Sequence, residues 1–486
     1  SHAALQLTLR SLIMRGLSLA GTIILARLLA PSDFGVYGIV AFVIAIWSAI
    51  GDFGLGAALV QQADEPTPSQ LRTVWTIQQL IALSAVVVVW VLAPVATGLF
   101  DGLPTATSLM LRVLSLGLVL SSLRSLPAVM MERELRFGPL ATAEVLQQLS
   151  FYVVAIWLAA AGGGAWAFVI GGLGQLAMGA VVVNLAWRRR PSVGIDRACL
   201  RSLFGFGFAY QGSIVILTVR DAPLPALVGL VSGTATAGLT QFAVRVAMTI
   251  STIDEMVARI AFPAFARLQS QPDKQVRALD TAILMTALIL VPAQCWIAAV
   301  APVVVPLVFG SQWSDAVVPL QFICLATLLR FPARYLRQAE FAAGASGRGL
   351  GMSIATTILA LVAFELGLLG WGLPGAAAGF LLGTALGLGA SIWLARDISG
   401  LSWRHFWLLI CSGVVAGAGA LAALRMTTQW LVTDPPQAHS SITEVAAAGV
   451  ATILFGVVYL ALLVITNRST LQIGRRLALR SIARPS

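Results

Sequence analysis

The chain carries little charge and almost no lysine. Only 10% of its 486 residues are charged, and Lys274 is its single lysine, so arginine supplies nearly all of the 31 basic residues. Soluble domains carry about 25% charged residues, whereas 58% of this chain is hydrophobic and its mean hydropathy is +0.90. No water-soluble fold hides so much apolar side chain, which excludes a soluble enzyme.

Residues for covalent and metal chemistry are also scarce. The four cysteines have no CxxC spacing, and only three histidines are present, so neither a disulfide framework nor a zinc site is indicated. The sequence holds no Ser/His/Asp set and no Walker loop, and its loops leave no room for a nucleotide-binding domain. We expect a transporter rather than an enzyme, with no catalytic residue, no metal and no cofactor.

Long apolar runs, broken by proline, glycine and charge, predict an all-α polytopic membrane protein with about 14 transmembrane helices. The length fits that number at roughly 20–25 residues per span. The predicted spans cover residues 7–29, 35–60, 71–99, 104–126, 138–161, 164–187, 201–230, 238–268, 277–309, 316–342, 348–370, 373–396, 404–432 and 441–466.

The distribution of arginine predicts the orientation of these spans. Cytoplasmic loops collect Arg and Lys, and with the N-terminus inside, 23 basic residues fall in cytoplasmic connections or the tail, against Arg425 alone on the other side. The cytoplasmic set includes Arg330, Arg334, Arg337 and Arg348. Both termini are therefore predicted to be cytoplasmic, and the formal charge of +11 marks one side of a bilayer rather than a nucleic-acid partner.

A weak internal repeat predicts two halves. Leu9-Arg10-Ser11-Leu12 opens the first span and Leu200-Arg201-Ser202-Leu203 opens the seventh, and parallel repeats of this kind are common in secondary transporters. The predicted domains are a six-helix lobe (1–187), a basic cytoplasmic linker (188–200), a second six-helix lobe (201–396), two additional transmembrane helices (397–467) and a basic cytoplasmic tail (468–486).

Ionisable residues inside spans are candidates for function, because an arginine at the helix centre costs roughly 2.5–3.5 kcal/mol on insertion scales. The stripe Ser11, Arg15, Ser18 and Thr22 recurs at steps that place all four residues on one helix face. A second stripe in the eighth span contains Gln241, Arg245, Thr249 and Thr252. The predicted substrate-binding residues are Arg15, Arg112, Arg220, Arg245, Ser18, Gln241, Tyr210 and Gln211, and the predicted ion-coupling residues are Asp52, Glu144 and Asp221.

These residues predict a polar, net-cationic cavity between the two halves. Guanidinium groups bind phosphate bidentately and stay charged at any working pH, so a diphosphate on a lipid carrier is the ligand they favour. The alternative is that the arginines form hydrogen bonds between helices or extend to the membrane surface, and Asp52 is equally consistent with a helix cap. Separately, glycines at 375, 379, 383 and 387 predict a close-packing seam.

Two segments near the N-terminus resemble a known family. Leu25-Ala26-Arg27-Leu28-Leu29-Ala30-Pro31-Ser32-Asp33-Phe34-Gly35-Val36-Tyr37-Gly38 and Asp52-Phe53-Gly54-Leu55-Gly56-Ala57-Ala58-Leu59-Val60-Gln61 are similar to bacterial polysaccharide transporters, the Wzx-like oligosaccharide flippases of the multidrug/oligosaccharidyl-lipid/polysaccharide exporter superfamily. Phe262-Pro263-Ala264-Phe265-Ala266-Arg267-Leu268-Gln269 and Phe309-Gly310-Ser311-Gln312-Trp313 are similar to its later signatures.

The resemblance implies a fold, a location and a substrate. It implies two six-helix lobes around a central cavity, extra C-terminal helices, and alternating access in the bacterial inner membrane. The implied substrate is an undecaprenyl-diphosphate-linked oligosaccharide repeat unit moved to the periplasmic leaflet for exopolysaccharide, capsule or O-antigen synthesis. Separately, the acidic residues Asp52 and Glu144 predict coupling to a proton or sodium gradient, and a polysaccharide polymerase and export machinery are the predicted partners.

Two other functions compete with this prediction. An ion-coupled drug antiporter of the same superfamily would present acidic groups to a cationic substrate, whereas this chain has an arginine-rich interior. A membrane polysaccharide polymerase usually carries a long outward loop with catalytic Arg or His, and the outward connections here are short.

Overall fold

The computed structural model describes most of the chain. Its described residues are 2–50, 59, 65–100, 102–134, 136–187, 193–196, 218, 224–268, 271–343, 345–396, 401, 403–431 and 441–466. All of the secondary structure in this part of the chain is helical. Eleven of the described helices are long and apolar enough to cross a membrane, so the protein is a multi-pass membrane protein.

The described residues form twelve α-helices. They are α1 (His2–Leu28), α2 (Pro31–Ile50), α3 (Pro68–Gly98), α4 (Thr107–Arg133), α5 (Phe137–Ala160), α6 (Trp166–Ala186), α7 (Leu224–Arg267), α8 (Pro272–Val304), α9 (Val317–Ala342), α10 (Ser346–Leu394), α11 (Trp403–Leu431) and α12 (Ser441–Thr466). A π-helix (Val305–Phe309) and a 3-10 helix (Ser311–Ala316) connect α8 to α9.

Two of these helices are interrupted where separate spans were predicted. Gly233 has non-helical backbone within α7, and Trp371 and Gly372 interrupt α10. Both glycines have positive φ, a conformation that costs glycine little. The all-helical class is therefore confirmed, while the number of 14 spans stays a prediction.

The chain divides into two compact units, Ser1–Gly238 and Leu239–Ser486. The boundary falls within α7 and differs from the predicted linker, most of which lies outside the described residues. The division into lobes at 1–187 and 201–396, the helices at 397–467 and the tail at 468–486 stay predictions.

Unit 1 packs α5 against α6, α3 against α4, α4 against α6 and α1 against α5. Its closest approach lies between α2 and the first part of α7, where a Cβ on Gly35 would overlap the Thr234 carbonyl oxygen. Likewise, a Cβ on Gly238 would overlap the Pro31 carbonyl oxygen. Glycine is required at both positions because the two backbones touch.

The described part of the predicted linker is bonded to the first turns of α3. The backbone N–H groups of Gly194 and Asp196 donate to the hydroxyls of Thr76 and Thr73, both at 3.0 Å. The Ser69 hydroxyl donates to the Asp196 carboxylate, also at 3.0 Å. Residues 193–196 are thus fixed to one end of α3.

Unit 2 is built around α8 and α9. Helix α9 packs against α10, α8 contacts α9, α11 and α12, and α11 packs against α12. Prolines occur inside three of these helices, at Pro292 and Pro302 of α8, Pro332 of α9 and Pro374 of α10. A proline inside a helix removes one backbone hydrogen bond and favours a bend at that point.

The two halves of α10 form a tightly packed hairpin. A Cβ on Gly379 would overlap the Ala363 carbonyl oxygen, and one on Gly383 would overlap the Leu359 carbonyl oxygen. A Cβ on Gly387 would press on Thr356. The close-packing seam predicted from the four-residue glycine spacing is therefore confirmed.

We expect Gly379→Ala to lower the free energy of unfolding by about 1–3 kcal/mol, because the added methyl overpacks a backbone contact. The measurement is the thermal unfolding temperature of the purified chain in detergent. Gly389→Ala is the matched control, since Gly389 lies on the same helix with no atom within 4 Å of an added Cβ. It should be neutral or stabilising by up to about 1 kcal/mol. Equal unfolding temperatures for the two variants would contradict the seam.

Candidate functional site: a cationic cluster in unit 2

An ion pair joins α7 to α9 inside unit 2. Arg334 Nη1 lies 3.2 Å from Asp254 Oδ2, and the Asp254 side chain is only 4% exposed, against 21% for Arg334. A carboxylate so far from water keeps its charge only when a cation or hydrogen-bond donors compensate for its lost hydration. The pair therefore fixes the relative position of the two helices.

Two further arginines lie on the same two helices. Arg330 is one turn before Arg334 on the same face of α9, and its Nη1 lies 3.9 Å from Met248 Sδ on α7. Arg245 is three residues before Met248, one turn away on the same face of α7. We call Arg245, Arg330, Arg334 and Asp254 the cationic cluster; three arginines and one carboxylate give it a net positive formal charge.

Arg245 is the member of the cluster whose charged group is available. Its side chain is half-buried, and its guanidinium forms no hydrogen bond or ion pair with any residue in the part of the chain that the structure describes. A guanidinium has five N–H donors and no acceptor, so Arg245 offers its donors to an anion or to water.

Polar side chains from α8 and α9 form hydrogen bonds with α7 near the cluster. Gln294 is fully buried, and its Nε2 donates to the Ala247 carbonyl and to the Ser251 hydroxyl, both at 3.1 Å. The Tyr335 hydroxyl lies 3.0 Å from the Thr286 hydroxyl and donates to the Asp254 carbonyl at 3.4 Å. These bonds position the backbone of α7 on both sides of Met248.

In unit 1 the structure gives Ser18 a partner within the protein. The buried Tyr152 hydroxyl on α5 donates to the Ser18 carbonyl at 2.9 Å, and it lies 3.2 Å from the Ser18 hydroxyl and 3.3 Å from that of Thr22. A Cβ on Gly21 would overlap the Tyr152 ring. Ser18 and Thr22, the last two residues of the predicted α1 stripe, thus bond to α5. Contact between Ser18 and substrate stays a prediction.

Arg112 forms a reciprocal contact with α3. Its Nε donates to the Trp90 carbonyl at 3.2 Å, while the Trp90 indole N–H donates to the Arg112 carbonyl at 3.1 Å. This geometry is the interhelical hydrogen bonding that the sequence left open as the alternative for the arginines. A role for Arg112 in binding substrate stays a prediction.

The structure describes only some of the remaining predicted residues. Gln241 is half-buried and one turn before Arg245 on α7, and Glu144 is exposed in the second turn of α5. Arg15 lies on α1, but its side chain is outside the described part of the structure. Five further residues lie outside the described residues altogether, namely Asp52, Tyr210, Gln211, Arg220 and Asp221.

Sequence reasoning missed three of the four cluster residues. Arg330, Arg334 and Arg337 were counted with a cytoplasmic connection, whereas the structure places all three inside α9. Their spacing of four and three residues was a usable signal, because it puts them on one helix face. Asp254 follows the predicted α7 stripe by two residues and was not singled out.

The motifs that carry the family resemblance position helices. The Asp33 carboxylate accepts from the Ala30 N–H at 3.0 Å in the turn before α2. Phe34 and Tyr37 pack on Phe168, with ring centroids 4.7 and 4.8 Å apart. In the later motif, Trp313 is fully buried and stacks on Phe242 at 4.4 Å. These residues define the fold rather than the ligand.

Comparison with known proteins agrees with this fold. A family model described as "Polysaccharide biosynthesis protein" matches residues 24–318, more than half of the chain. The chain belongs to this family. The resemblance seen in the sequence is thereby confirmed.

Two curated relatives cover much of the chain. The lipopolysaccharide biosynthesis protein WzxC of Escherichia coli (strain K12) is 24% identical over 403 residues, which are 82% of this chain and 81% of WzxC. The succinoglycan biosynthesis transport protein ExoT of Rhizobium meliloti (strain 1021) is 27% identical over 307 residues, or 62% of this chain and 60% of ExoT.

Solved structures give the same fold at low sequence identity. The lipid II flippase MurJ in an inward closed conformation aligns with a TM-score of 0.74 and 12% identity, covering 95% of this chain and all of MurJ. An inward-facing multidrug resistance MATE family transporter of the MOP superfamily aligns with a TM-score of 0.63 and 16% identity, covering 80% of this chain and 95% of that transporter. The fold is therefore that of this transporter superfamily.

We expect Asp254→Ala to lower the free energy of unfolding by about 2–4 kcal/mol, because it leaves the largely buried Arg334 without its carboxylate. The double variant Asp254→Ala/Arg334→Ala should recover part of that loss. Both are measured as thermal unfolding in detergent.

The exposed pair Arg136–Glu134, with Nη1 3.4 Å from Oε2, provides the control. Glu134→Ala should cost well under about 1 kcal/mol, since exposed ion pairs contribute little. If Asp254→Ala were as mild as Glu134→Ala, the ion pair would not fix α7 to α9.

Proposed function

We propose that this protein is a flippase that moves undecaprenyl-diphosphate-linked oligosaccharide repeat units from the cytoplasmic to the periplasmic leaflet. The observation that carries the proposal is the half-buried, available guanidinium of Arg245 on α7, the helix that Arg330 and Arg334 of α9 also contact, in a multi-pass protein of the polysaccharide biosynthesis family. The names of WzxC, a lipopolysaccharide biosynthesis protein, and ExoT, a succinoglycan biosynthesis transport protein, support a substrate that contains a polysaccharide unit.

A diphosphate fits the chemistry of the cationic cluster. Guanidinium and phosphate form charge-assisted, often bidentate hydrogen bonds, which are shorter and roughly twice as strong as neutral ones. Because Asp254 neutralises part of the positive charge, the bound lipid diphosphate meets a moderate net attraction. A substrate that must be released on the far side requires this balance, since tight binding at both ends of the cycle would stop transport.

Several finer features belong to this proposal. The protein resides in the bacterial inner membrane with both termini in the cytoplasm, and it works by alternating access with the substrate in a cavity between its halves. Arg15, Arg112, Arg220, Tyr210, Gln211, Ser18 and Gln241 contribute to binding, and Asp52, Glu144 and Asp221 to coupling with a proton or sodium gradient. It is a transporter and not an enzyme, and a polysaccharide polymerase with its export machinery act on its product.

A multidrug antiporter and a polymerase fit the cluster less well. The MATE likeness concerns the fold alone, and a cationic drug would be repelled by a cluster with three arginines and one carboxylate. Precursor location separates a flippase from a polymerase. Loss of a flippase traps single repeat units on the inner leaflet, whereas loss of a polymerase lets single units reach the surface.

We expect Arg245→Ala to reduce translocation of a lipid-diphosphate oligosaccharide at least tenfold, because hydrogen bonds to charged groups contribute about 1.5–3 kcal/mol and about 1.4 kcal/mol is tenfold. The assay follows a fluorescent lipid-linked oligosaccharide across proteoliposomes that contain the full chain. In cells, Arg245→Ala and Arg15→Ala should each abolish polymer export at normal membrane levels.

The matched control is Arg277→Ala, which removes an arginine from an exposed position on α8. It should leave translocation unchanged. Full activity of both Arg245→Ala and Arg15→Ala, at normal protein levels, would overturn the proposed site.

A further inference from the structure

Unit 1 contains a cavity with no charged residue among the described residues that line it. It lies between α2, α3 and α4 and comprises about 440 Å³ of space, part of it open to solvent. Alanines and a leucine form part of its wall. The residues that matter chemically are Trp47, Ser48, Gln78, Ser121, Ser122 and Ser125.

Helical spacing brings the polar groups of the cavity together. Ser122 and Ser125 are one turn apart on α4, and Ser121 is four residues before Ser125. On α3, Gln78 is followed at steps of four and three by Ala82 and Ala85, whose small side chains leave the space open.

Hydrogen bonds fix part of this polar surface and leave the rest available. Gln78 Nε2 donates to the Ser125 hydroxyl at 3.2 Å, and the Ser122 hydroxyl donates to Gln79 Oε1 at 2.9 Å. The Ser48 and Ser121 hydroxyls form no hydrogen bond with any residue in the described part of the chain, and both residues are exposed. The cavity therefore has two kinds of hydroxyl group. Those of Ser48 and Ser121 are exposed and form no bond with a described residue, whereas those of Ser122 and Ser125 are hydrogen-bonded to glutamines of α3.

Gln79 follows Gln78 on α3 and is bonded to the cavity wall without lining the cavity. It is 9% exposed, its Oε1 accepts from the Ser122 hydroxyl, and its Nε2 has no hydrogen-bond partner among the described residues. This bond holds the Ser122 side chain in the wall.

The opposite wall is aromatic. Trp47 packs against Ala85, Val86 and Leu118, which form a small apolar core. The cavity thus combines an aromatic surface held by packing with neutral donors and acceptors, the usual make-up of a small-molecule site. A sugar ring has the matching chemistry, because its C–H face is apolar and its edge carries hydroxyl groups.

We propose that this cavity binds one neutral sugar ring of the lipid-linked oligosaccharide. The proposal rests on the proposed function and adds to it a second site, separate in chemistry from the cationic cluster. The cavity space of about 440 Å³, part of it open to solvent, has room for one hexose ring. A diphosphate suits the cavity less well, since no cation is among the described residues that line it.

The test compares two lipids on the purified full chain in detergent. The probes are undecaprenyl diphosphate and the same lipid carrying one hexose, glucose or galactose, with dissociation constants measured by native mass spectrometry. The wild-type protein should bind at least one hexose lipid more tightly than the bare lipid. Ser121→Ala/Ser125→Ala and Gln78→Leu should weaken hexose-lipid binding about tenfold and leave binding of the bare lipid unchanged.

Ser115→Ala is the matched control, because Ser115 is a fully buried α4 serine bonded to the Arg112 carbonyl at 2.6 Å and does not line the cavity. It should change neither constant. Should Gln78→Leu fail to fold, the single variant Ser121→Ala still tests the site, since it removes an exposed hydroxyl that makes no bond.

Three outcomes would overturn the inference. Unchanged hexose-lipid binding in the serine variants means that the cavity holds only water. Tighter binding of both lipids to Gln78→Leu means that it holds an acyl chain, and equal binding of hexose and bare lipids to the wild type means that no sugar is recognised. Failure of the proposed function looks different, because then undecaprenyl diphosphate itself does not bind or Arg245→Ala leaves its binding unchanged.

Discussion

The cost of placing charge at membrane depth is the constraint on which the rest of this structure depends. Hydrocarbon offers no hydrogen bonds, so a charged side chain in a span must find a partner or face water. The described part of unit 2 shows both solutions side by side. Arg334 is held by Asp254, whereas the guanidinium of Arg245 on α7 forms no bond with any described residue and is left for an anion or solvent.

Under the two proposals made above, each unit offers different chemistry to a lipid-linked glycan. The cationic cluster of unit 2 suits the phosphates of a lipid carrier, and the neutral cavity of unit 1 suits a sugar ring. In this arrangement one site would bind the diphosphate, which all such substrates share, and the other would bind the sugar, which differs between them. A diphosphate is common to every repeat unit on this carrier, so selectivity among glycans has to come from contacts with the sugars, and neutral contacts discriminate by leaving polar groups unpaired when the wrong sugar is bound.

The fold class was predictable because it follows from the hydrophobic composition and from the regular spacing of residues along each helix. Hydropathy alone predicts long helices, and a four-residue glycine spacing predicts that Gly379 and Gly383 meet backbone. The site was less predictable. Counting basic residues near helix ends does not show how far inside a helix each residue lies, so the sequence placed Arg330 and Arg334 in a connection between helices, whereas both lie inside α9. The count also does not reveal the ion pair between Arg334 and Asp254, because the two residues are far apart in the sequence. The Gln78 cavity gave no sequence signal, since single serines and glutamines are ordinary in helices and only packing collects them.

The glycine contacts within α10 have a consequence for motion. Where two backbones already touch, neither half of the hairpin can slide or twist against the other without separating the seam, so the hairpin has to travel as one rigid body. Hinges need backbone that can bend at small cost. In the described part of unit 2, that property belongs to helices interrupted by an internal proline, α8 at Pro292 and Pro302 and α9 at Pro332. Since α9 also carries Arg330 and Arg334, bending there would move these two arginines relative to α7.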